Sequence, residues 1–314
     1  MRHVLVLAGG LSHERDVSLR SGRRVADALT RSGSETHLRD VDPTLLEAIK
    51  SSRPEVIWPV LHGATGEDGA LRDVLGSLDI AYVGSRPASC RLTWDKPVAK
   101  ALVGAAGIST PAGLALSHAT FRELGAPALL ETVVDSLGLP LAVKPSRGGS
   151  ALGLTIVRSA AELPSAMVTA YAYGEIVLIE RFIEGVEVAL SIVEDEHGQA
   201  QALPAVEIVP DGGVYSYEAR YTAGATEFFT PARLSSSGAD SAADVSLAAY
   251  RTLGHQHLSR VDLIIDADER PWFLEANVSP GMTETSLLPM AVEAAGLDAT
   301  RVYAGIVERA LSTT

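Results

Sequence analysis

The chain has 314 residues and a mass of 32.9 kDa, more than one hydrophobic core usually organises, so two or three sub-domains are expected. Its 46% apolar and 21% charged residues are typical of a globular protein and exclude long disordered or low-complexity segments. A net charge of −13 disfavours a protein that binds nucleic acid or a membrane surface by bulk electrostatics, and a single cysteine, Cys90, excludes an internal disulfide and a cysteine-based metal cluster.

The first 85 residues alternate short apolar runs with helical patterns. The predicted strands are His3–Ala8, Glu55–Leu61 and Ile80–Gly84, and the predicted helices are Val17–Arg31 and Asp68–Leu75. Strands that alternate with helices favour a parallel sheet covered on both faces. The polar loops Gly9–Ser18 and Leu61–Gly69 follow two of these strands, which is where ligands bind in open α/β sheets, although the dinucleotide-binding pattern GxGxxG is absent.

The remainder of the chain changes pattern twice, near residues 90 and 182. The middle part predicts helices at Trp94–Ala106 and Ala160–Ala172 and strands at Pro140–Pro145, Leu154–Val157 and Ile176–Glu180. The last part predicts strands at Val186–Val193, Gln201–Val209, Arg260–Asp266 and Pro271–Ala276, and helices at Asp240–Thr252, Glu284–Ala295 and Ala299–Leu311. Three α/β lobes are therefore expected, covering residues 1–90, 91–182 and 183–314.

The apolar runs also bear on the compartment. None reaches the roughly 20 residues that a membrane-spanning helix requires. The apolar stretch at the start of the chain is too short for a secretory signal, and no small-residue cleavage site follows it. A cytoplasmic protein is expected.

A lysine ends the predicted strand before a glycine-rich segment, in Val143-Lys-Pro-Ser-Arg-Gly-Gly-Ser150. Glycines let backbone N–H groups turn toward an anion and the ammonium supplies a point charge, so the segment favours a phosphate site. It is not a Walker A loop, because the lysine precedes the glycines. A glycine hairpin with a snorkelling lysine is the alternative, but the chain has only four lysines, which gives Lys144 more weight.

A predicted hairpin carries two carboxylates near its base. If its turn is centred between Asp268 and Glu269, Asp262 pairs with Glu275, and strand alternation puts Arg260 and Asn277 on the same face. Paired carboxylates about 5 Å apart repel unless a cation lies between them, and an all-oxygen set suits Mg²⁺. A solvated acidic face is the alternative, which the flanking apolar residues disfavour.

The segment Ile176–Glu187 has the character of a strand that leaves one lobe for another. Its backbone N–H and C=O groups could pair with a purine edge. On the evidence of this segment alone, however, an ordinary inter-domain linker is the better explanation. Likewise His62, in the second polar loop, could be a ligand-binding residue or a local cap.

Seven motifs occur in an order that resembles the D-alanine–D-alanine ligases of the ATP-grasp superfamily. They are Gly-Gly-Leu-Ser-His-Glu-Arg-Asp-Val-Ser (9–18), His-Gly-Ala-Thr-Gly-Glu-Asp-Gly (62–69), Trp-Asp-Lys (94–96), Val-Lys-Pro-Ser-Arg-Gly-Gly-Ser (143–150), Tyr-Glu-Ala-Arg-Tyr (217–221), Arg-Val-Asp (260–262) and Leu-Glu-Ala-Asn-Val-Ser-Pro-Gly-Met-Thr (274–283). The resemblance covers essentially the whole chain. It implies an ATP-grasp fold with a Rossmann-like N-terminal lobe, and ATP-dependent joining of two D-alanines through an acyl phosphate for peptidoglycan synthesis.

The resemblance also implies a nucleotide site between the second and third lobes. Lys96 and Lys144 would hold the ATP phosphates, Glu187 the ribose, and Arg220 would also contact the nucleotide. The adenine would lie on the connector formed by Glu180, Arg181, Phe182 and Ile183. Two Mg²⁺ ions, for which Mn²⁺ can substitute, would be bound by Asp262, Glu275 and Asn277.

For the amino acids, the resemblance implies that Glu14 receives the ammonium group of the first D-alanine. Ser150 and Tyr221 would hydrogen-bond with Glu14 and hold a loop of residues 215–230 closed. The oxyanion would be stabilised by Arg260 and the Gly281 N–H, and the carboxylate of the second D-alanine by Ser286 and the Leu287 amide, with His62 nearby. The implied partners are small molecules alone, with no nucleic acid or membrane, and the implied state is a homodimer.

The chain departs from the family pattern at four positions. Arg220 and Arg181 replace common lysines, and Gly148 and Ala151 replace glutamate and serine. Arginine is a planar fork where lysine is a compact ammonium, so the change at residue 220 is not neutral beside a phosphate. These departures motivate an alternative, a relative in specialised metabolism or self-resistance that joins or cyclises other amino acids. A nucleotide-binding regulatory protein without ligase activity is a third reading, which the complete metal-ligand set disfavours.

Overall fold

The computed structural model describes residues 1–222 and 224–313, and for Tyr221 it describes the backbone alone. Three sheets with flanking helices organise this part of the chain into three α/β lobes, as expected. The boundaries at residues 90 and 182 remain predictions. One continuous apolar cluster crosses between lobes and joins Val4 and Trp58 to Leu288 and Ile306.

The N-terminal lobe contains a parallel sheet. Its strands are β1 His3–Leu7, β2 Glu35–Arg39, β3 Val56–Pro59 and β4 Ala81–Tyr82, and its helices are α1 Arg15–Arg31, α2 Leu45–Ser52, α3 Ala64–Glu67 and α4 Ala70–Gly76. The strand order is β2-β1-β3-β4, and every pair is parallel, which confirms the expectation from the alternating pattern. The sequence did not reveal β2, because it is an edge strand of mostly polar residues without an apolar face.

The central lobe contains an antiparallel sheet. Helices α5 Pro87–Trp94 and α6 Lys96–Ala105 precede it. The other elements are β5 Gly113–Ser117, α7 His118–Leu124, α8 Ala126–Leu137, β6 Leu141–Pro145, β7 Thr155–Val157, a 3₁₀ turn Ala160–Glu162, α9 Leu163–Tyr171 and β8 Ile176–Arg181. In the strand order β5-β8-β6-β7, β6 runs antiparallel to β8, with Ala142 opposite Glu180 and Lys144 opposite Leu178.

The C-terminal lobe is built on the largest sheet. Its elements are β9 Val186–Glu194, β10 Ala200–Ala202, β11 Val206–Pro210, α10 Tyr217–Tyr221, β12 Thr226–Phe229, α11 Ser236–Thr252, β13 Leu258–Ile265, β14 Pro271–Asn277, α12 Leu287–Ala294 and α13 Ala299–Ser312. The strand order is β12-β11-β9-β13-β14, and β10 also pairs with β9. In the described residues, no helix is long and apolar enough to cross a bilayer.

Two predicted elements differ from the structure for local reasons. The predicted helix Trp94–Ala106 is confirmed as α6 but begins two residues later, at Lys96, because Asp95 is extended, with ψ of 97°, and its side chain accepts a hydrogen bond from the Val98 N–H. The predicted strand Gln201–Val209 is interrupted at residues 203–205, where Pro204 has no N–H for the ladder. Both halves still pair with β9.

The hairpin of β13 and β14 has the predicted pairing at its polar end. Asp262 lies opposite Glu275, and Arg260 lies opposite Asn277. Because side chains alternate along a strand, these four residues share one face of the sheet. The arrangement predicted from the sequence is confirmed.

Nearer the turn, the same hairpin differs from the prediction. Leu263 pairs with Phe273, so Leu274 is an extra residue that forms a β-bulge. The turn is therefore centred half a residue away from the predicted point. The bulge restores the expected register at the carboxylates, where β14 approaches the other lobes.

Candidate active site

Two adjoining cavities of about 540 Å³ each lie where the three lobes meet. The first lies between the central and C-terminal lobes and is lined by Lys96, Lys144, Glu180, Arg181, Phe182, Ile183, Glu187, Arg220, Asp262 and Glu275, among others. The second reaches the N-terminal lobe and is lined by Glu14, His62, Ser150, Arg260, Asn277, Gly281, Ser286 and Leu287, among others. Lys96, Arg220 and Glu275 line both. The structure thus gathers the predicted site residues in one cleft, except for the Tyr221 side chain, which lies outside the described residues.

At the junction of the cavities, Lys96 contacts both the glycine-rich segment and the hairpin. Its Nζ donates to the Gly148 carbonyl at 2.6 Å and lies 3.4 Å from Glu275 Oε2. Its backbone N–H donates to the Ser146 carbonyl at 2.9 Å. The start of α6 is thereby joined to the segment that the sequence associates with phosphate.

Lys144, at the end of β6, forms an ion pair with Glu180, the penultimate residue of β8. The Lys144 Nζ lies 2.6 Å from Glu180 Oε1, and Lys100 Nζ lies 2.8 Å from Glu180 Oε2. Burial raises the pKa of the Glu180 carboxyl, but the two ammonium groups outweigh this and hold it below its usual range. Lys100 was not among the predicted site residues. Its position one turn after Lys96, in a chain with only four lysines, is the signal that was available.

The connector of residues 180–183, which begins with the last two residues of β8, lines the first cavity as predicted, but two of its N–H groups already donate to other carbonyls. The Arg181 N–H donates to the Ala112 carbonyl at 2.8 Å, and the Phe182 N–H donates to the Pro140 carbonyl at 3.0 Å. A purine edge would therefore have to be read by the connector's other backbone groups, beginning with the Ile183 amide.

Glu187, on β9, is a carboxyl in an apolar and acidic setting. Burial and the neighbouring carboxylates Asp262 and Glu275 raise its pKa, Arg220 and Arg260 oppose the rise, and the result is about 7. The group therefore titrates near neutral pH. The Glu187 carboxyl can therefore accept a hydrogen bond from a hydroxyl group when it is ionised and donate one when it is protonated.

The hairpin face presents the predicted metal ligands, and each already has a protein partner. Both Asp262 oxygens accept from Arg260, from Nε at 2.7 Å and from Nη2 at 2.8 Å. Asn277 Oδ1 accepts from the Ser279 N–H at 2.7 Å. Each oxygen retains a further lone pair, so the oxygen donors suit Mg²⁺ as the sequence suggested.

The charge around Glu275 is strongly positive. Burial acts to raise the pKa of its carboxyl, but Lys96, Lys144, Arg220 and Arg260 lower it to about 2. The carboxylate is therefore ionised at any physiological pH, as metal binding requires.

The loop that carries Glu14 is tied to the end of β2. Asp40 Oδ1 accepts from the Gly10 N–H at 2.8 Å, and Asp40 Oδ2 lies 2.5 Å from Arg15 Nη2. Arg15 also donates to the Gly10 carbonyl at 2.8 Å. Gly9 has φ of +107°, and a Cβ there would lie 2.3 Å from Asp40 Oδ1, so this loop requires glycine.

The glycine-rich segment closes over Glu14 from the central lobe. The Ser150 hydroxyl donates to Glu14 Oε1, the contact that the resemblance implies. Ser150 and Ala151 both have positive φ, 52° and 55°, an uncommon conformation for residues with a Cβ. The chain accepts this local strain where it contacts the second cavity.

His62 has a fixed tautomer. Its Nδ1 faces the Ser279 carbonyl at 3.1 Å and must therefore carry the proton. Its buried Nε2 has no hydrogen-bond partner among the described residues, and the side chain lines the second cavity. Burial lowers the pKa of the imidazole, which makes His62 a neutral acceptor at this wall rather than a local cap.

Glu67 is a further residue of this cavity that the sequence analysis did not single out, although it lies within the second motif. Its Oε1 accepts from the Gly63 N–H at 2.8 Å. Burial and the nearby charge of Glu14 raise its pKa to about 8. Glu67 is therefore mainly protonated at neutral pH.

The loop before α12 forms the far wall of the second cavity. Ser286 Oγ accepts from the Thr283 N–H at 2.9 Å, and Leu287 is the first residue of α12, whose N–H has no carbonyl within the helix to bond. A Cβ on Gly281 would lie 2.7 Å from Ser286 Oγ, so the backbone approaches this hydroxyl as only glycine allows. The Ser286 hydroxyl and the Leu287 N–H are hydrogen-bond donors suited to a carboxylate.

Comparison with known sequences points to one family. The family model described as D-ala D-ala ligase C-terminus matches residues 102–308. The chain is 41% identical over 305 residues to the D-alanine–D-alanine ligase of Bordetella petrii, covering 97% of this chain and 91% of that protein. It is 38% identical over 309 residues to that of Gloeobacter violaceus, covering 98% of this chain and 99% of that protein.

Solved structures agree with the sequence comparison. The D-alanine–D-alanine ligase from Bacillus anthracis complexed with ATP matches with a TM-score of 0.84 and 29% identity, covering 100% of this chain and 98% of that one. The VanG D-Ala:D-Ser ligase from Enterococcus faecalis matches with a TM-score of 0.85 and 25% identity, covering 98% and 99%. The ATP-grasp fold predicted from the sequence is confirmed.

Proposed function

The chain belongs to the D-alanine–D-alanine ligase family, and from that premise we propose that it joins two D-alanines to D-alanyl-D-alanine, with ATP converted to ADP and phosphate, in the supply of peptidoglycan precursors. By family it is an ATP-dependent ligase. The cytoplasmic location and the homodimer are parts of the proposal that rest on the family.

One observation carries the proposal. Asp262 and Glu275 are paired on the hairpin, and Glu275 borders both cavities, so a single platform faces a nucleotide-sized space and an amino-acid space. Lys96 bridges this platform and the glycine-rich segment. A carboxylate in the second cavity would thus lie beside phosphates in the first.

The chemistry explains the residue types. A carboxylate is a poor electrophile, so in the first step its oxygen attacks the γ-phosphorus, the bond from that phosphorus to ADP breaks, and an acyl phosphate and ADP result. In the second step the neutral amine of the other amino acid attacks the acyl carbon, the carbon–oxygen bond to phosphate breaks, and the amine gives up one proton as the amide forms. Both steps build negative charge on oxygen, which oriented cations and N–H donors stabilise.

We assign the nucleotide residues accordingly. Lys96, Lys144 and Arg220 bind the phosphates, Glu187 binds the ribose, and the connector of residues 180–183 holds the adenine. Asp262, Glu275 and Asn277 would hold two Mg²⁺ ions, or Mn²⁺ in their place, which neutralise phosphate charge when bound.

We assign the amino-acid residues in the second cavity. Glu14, oriented by Ser150, binds the first ammonium group. Arg260 and the Gly281 N–H stabilise the oxyanion, and Ser286 with the Leu287 amide binds the second carboxylate. His62, held neutral by burial, accepts a hydrogen bond at the same wall. The proposed role of Tyr221 in closing the loop over Glu14 keeps its basis in the motif alone.

A second candidate is a ligase for another amino acid. The residues that depart from the family pattern line the cleft: Arg220 borders both cavities, with its guanidinium 4.0 Å from the centre of the Tyr215 ring, and Gly148 borders both as well. A change at these positions reaches the substrates directly.

A panel of amino acids separates the candidates. ADP formation, phosphate release and product mass are measured with Mg²⁺, ATP and each of D-alanine, D-serine, L-alanine and mixtures of them. The proposal expects the dipeptide from D-alanine alone, with competition by D-cycloserine. The absence of a response to D-alanine alone rejects it and leaves the second candidate, whereas nucleotide binding with no turnover on any amino acid supports a regulatory protein.

A further inference from the structure

Lys100 is a buried lysine with no role in the site described above. It lies on α6, one turn after Lys96, and only 7% of its surface is exposed. Its Nζ donates to the Phe273 carbonyl at 3.2 Å and lies 2.8 Å from Glu180 Oε2. Burying an ammonium group is expensive unless its charge is balanced, so its retention calls for an explanation.

Lys100, Glu180 and Lys144 lie in a row, with the Glu180 carboxylate between the two ammonium groups. Lys100 contacts one oxygen of Glu180 and Lys144 contacts the other, and Glu180 is only 2% exposed. Lys144 and Glu180 border the first cavity, whereas Lys100 is not among the described residues that line either cavity. Lys100 therefore influences the first cavity indirectly, through the Glu180 carboxylate.

The net charge of these three side chains determines the electrostatic environment of a phosphate bound in the first cavity. Two ammonium groups and one carboxylate leave one net positive charge, directed at the cavity by Lys144. Without Lys100, Glu180 and Lys144 would neutralise each other. Burial lowers the pKa of Lys100, against the effect of Glu180, to about 8, so the group is mainly protonated at neutral pH.

We propose that Lys100 is a positioning residue of the nucleotide site, which shares the charge of Glu180 and so keeps the ammonium of Lys144 available to the phosphates. This inference rests on the proposed function, because it assumes that phosphates bind beside Lys144. It predicts an effect that grows with the charge of the ligand. A purely structural role, such as support of the connector after Glu180, predicts an equal effect on every ligand that carries adenine.

The test is calorimetric binding of MgATP, MgADP and adenosine, without amino acids, to the wild type and to Lys100→Met, Lys100→Arg and Lys50→Met. Lys50 is exposed on α2 and serves as the matched control. For Lys100→Met we expect unchanged adenosine affinity, MgATP weakened by roughly tenfold, which is the size of coupling typical of contacting groups, and MgADP weakened by less. Lys100→Arg keeps the charge and should recover most of the MgATP affinity.

The outcomes distinguish the two claims. If the wild type binds none of the adenine ligands, the proposed function fails. If the wild type binds them and Lys100→Met weakens adenosine as much as MgATP, or weakens neither, the inference about Lys100 is wrong and the proposed function stands. Should Lys100→Met show no cooperative thermal transition, Lys100→Gln decides, because glutamine keeps a hydrogen-bond donor near the Phe273 carbonyl and removes the charge. A fall in the ratio of MgATP to adenosine affinity then supports charge sharing, and an unchanged ratio refutes it.

Discussion

Replacing Glu275 with glutamine tests the central platform with the smallest change of shape. The substitution removes one negative charge, opposite Asp262 and 3.4 Å from Lys96, and keeps a side chain of the same size. Glutamine resembles the protonated carboxyl, so the effect on the folded protein follows from the pKa of Glu275. Two quantities should change, the free energy of unfolding without ligands and the catalytic rate.

The shift of this pKa from 4.5 to about 2 corresponds to roughly 3 kcal/mol of stability at neutral pH. Because the folded pKa is depressed, this contribution is complete above pH 4.5 and is lost as the pH falls through 2. Glu275→Gln should therefore be less stable than the wild type at pH 7, and the difference should shrink toward pH 2. If Glu275 holds Mg²⁺ as proposed, its loss should lower kcat/KM by roughly 10²- to 10³-fold.

The assay is urea unfolding between pH 3 and 8, without Mg²⁺ and nucleotide, together with D-alanine-dependent ADP formation. Glu293→Gln, an exposed position on α12, is the matched control and should change neither quantity. Equal stability of Glu275→Gln and the wild type at pH 7 would refute the argument that four cations stabilise this carboxylate. Unchanged turnover would remove Glu275 from the metal site.

Two further substitutions test the second cavity. Gly9→Ala should destabilise the fold by roughly 1–3 kcal/mol and raise the KM for D-alanine, because its Cβ would collide with Asp40. Gly10→Ala is the control: Gly10 also has positive φ, +75°, so alanine there carries backbone strain, but its Cβ would meet only Leu61, at 3.7 Å. Equal effects of the two substitutions would contradict the steric reason. Glu67→Gln should be more stable than the wild type by roughly 1–3 kcal/mol at pH 7. The unfolded chain ionises this carboxyl above pH 4.5 whereas the folded protein, in which its pKa is about 8, keeps it protonated up to about pH 8, so the wild type loses stability as the pH rises between these values. A stability difference that does not vary with pH, measured by urea unfolding, would contradict this account of Glu67.

The local features of the site were predictable from the amino-acid order. The pairing of Asp262 with Glu275 follows from two apolar strands joined by a short polar turn, because the period of two sets both the pairing and the face. The parallel N-terminal sheet follows from alternating strands and helices. The expected roles of individual residues came from the resemblance to a family, because the spacing of apolar and polar residues does not specify them.

Other local features could not be predicted from the sequence, because the patterns that favour the competing conformations were about equally weak. The break at Asp95 depends on a capping side chain inside a helical pattern, and the bulge at Leu274 depends on how β14 meets its neighbours. The edge strand β2 has too few buried residues to show an apolar face. In each case the chain tolerates more than one conformation until packing selects one.

Long-range electrostatics was decided by the tertiary structure alone. Lys100, Lys144 and Glu180 come from α6, β6 and β8, and nothing in their spacing says that one helix and two strands meet at one buried carboxylate. The same holds for Glu67 and His62, whose charge states depend on how much water the folded lobes exclude. Ionisation responds to every nearby charge in three dimensions, whereas the register of a hairpin such as β13–β14 is set by residues close to one another along the chain.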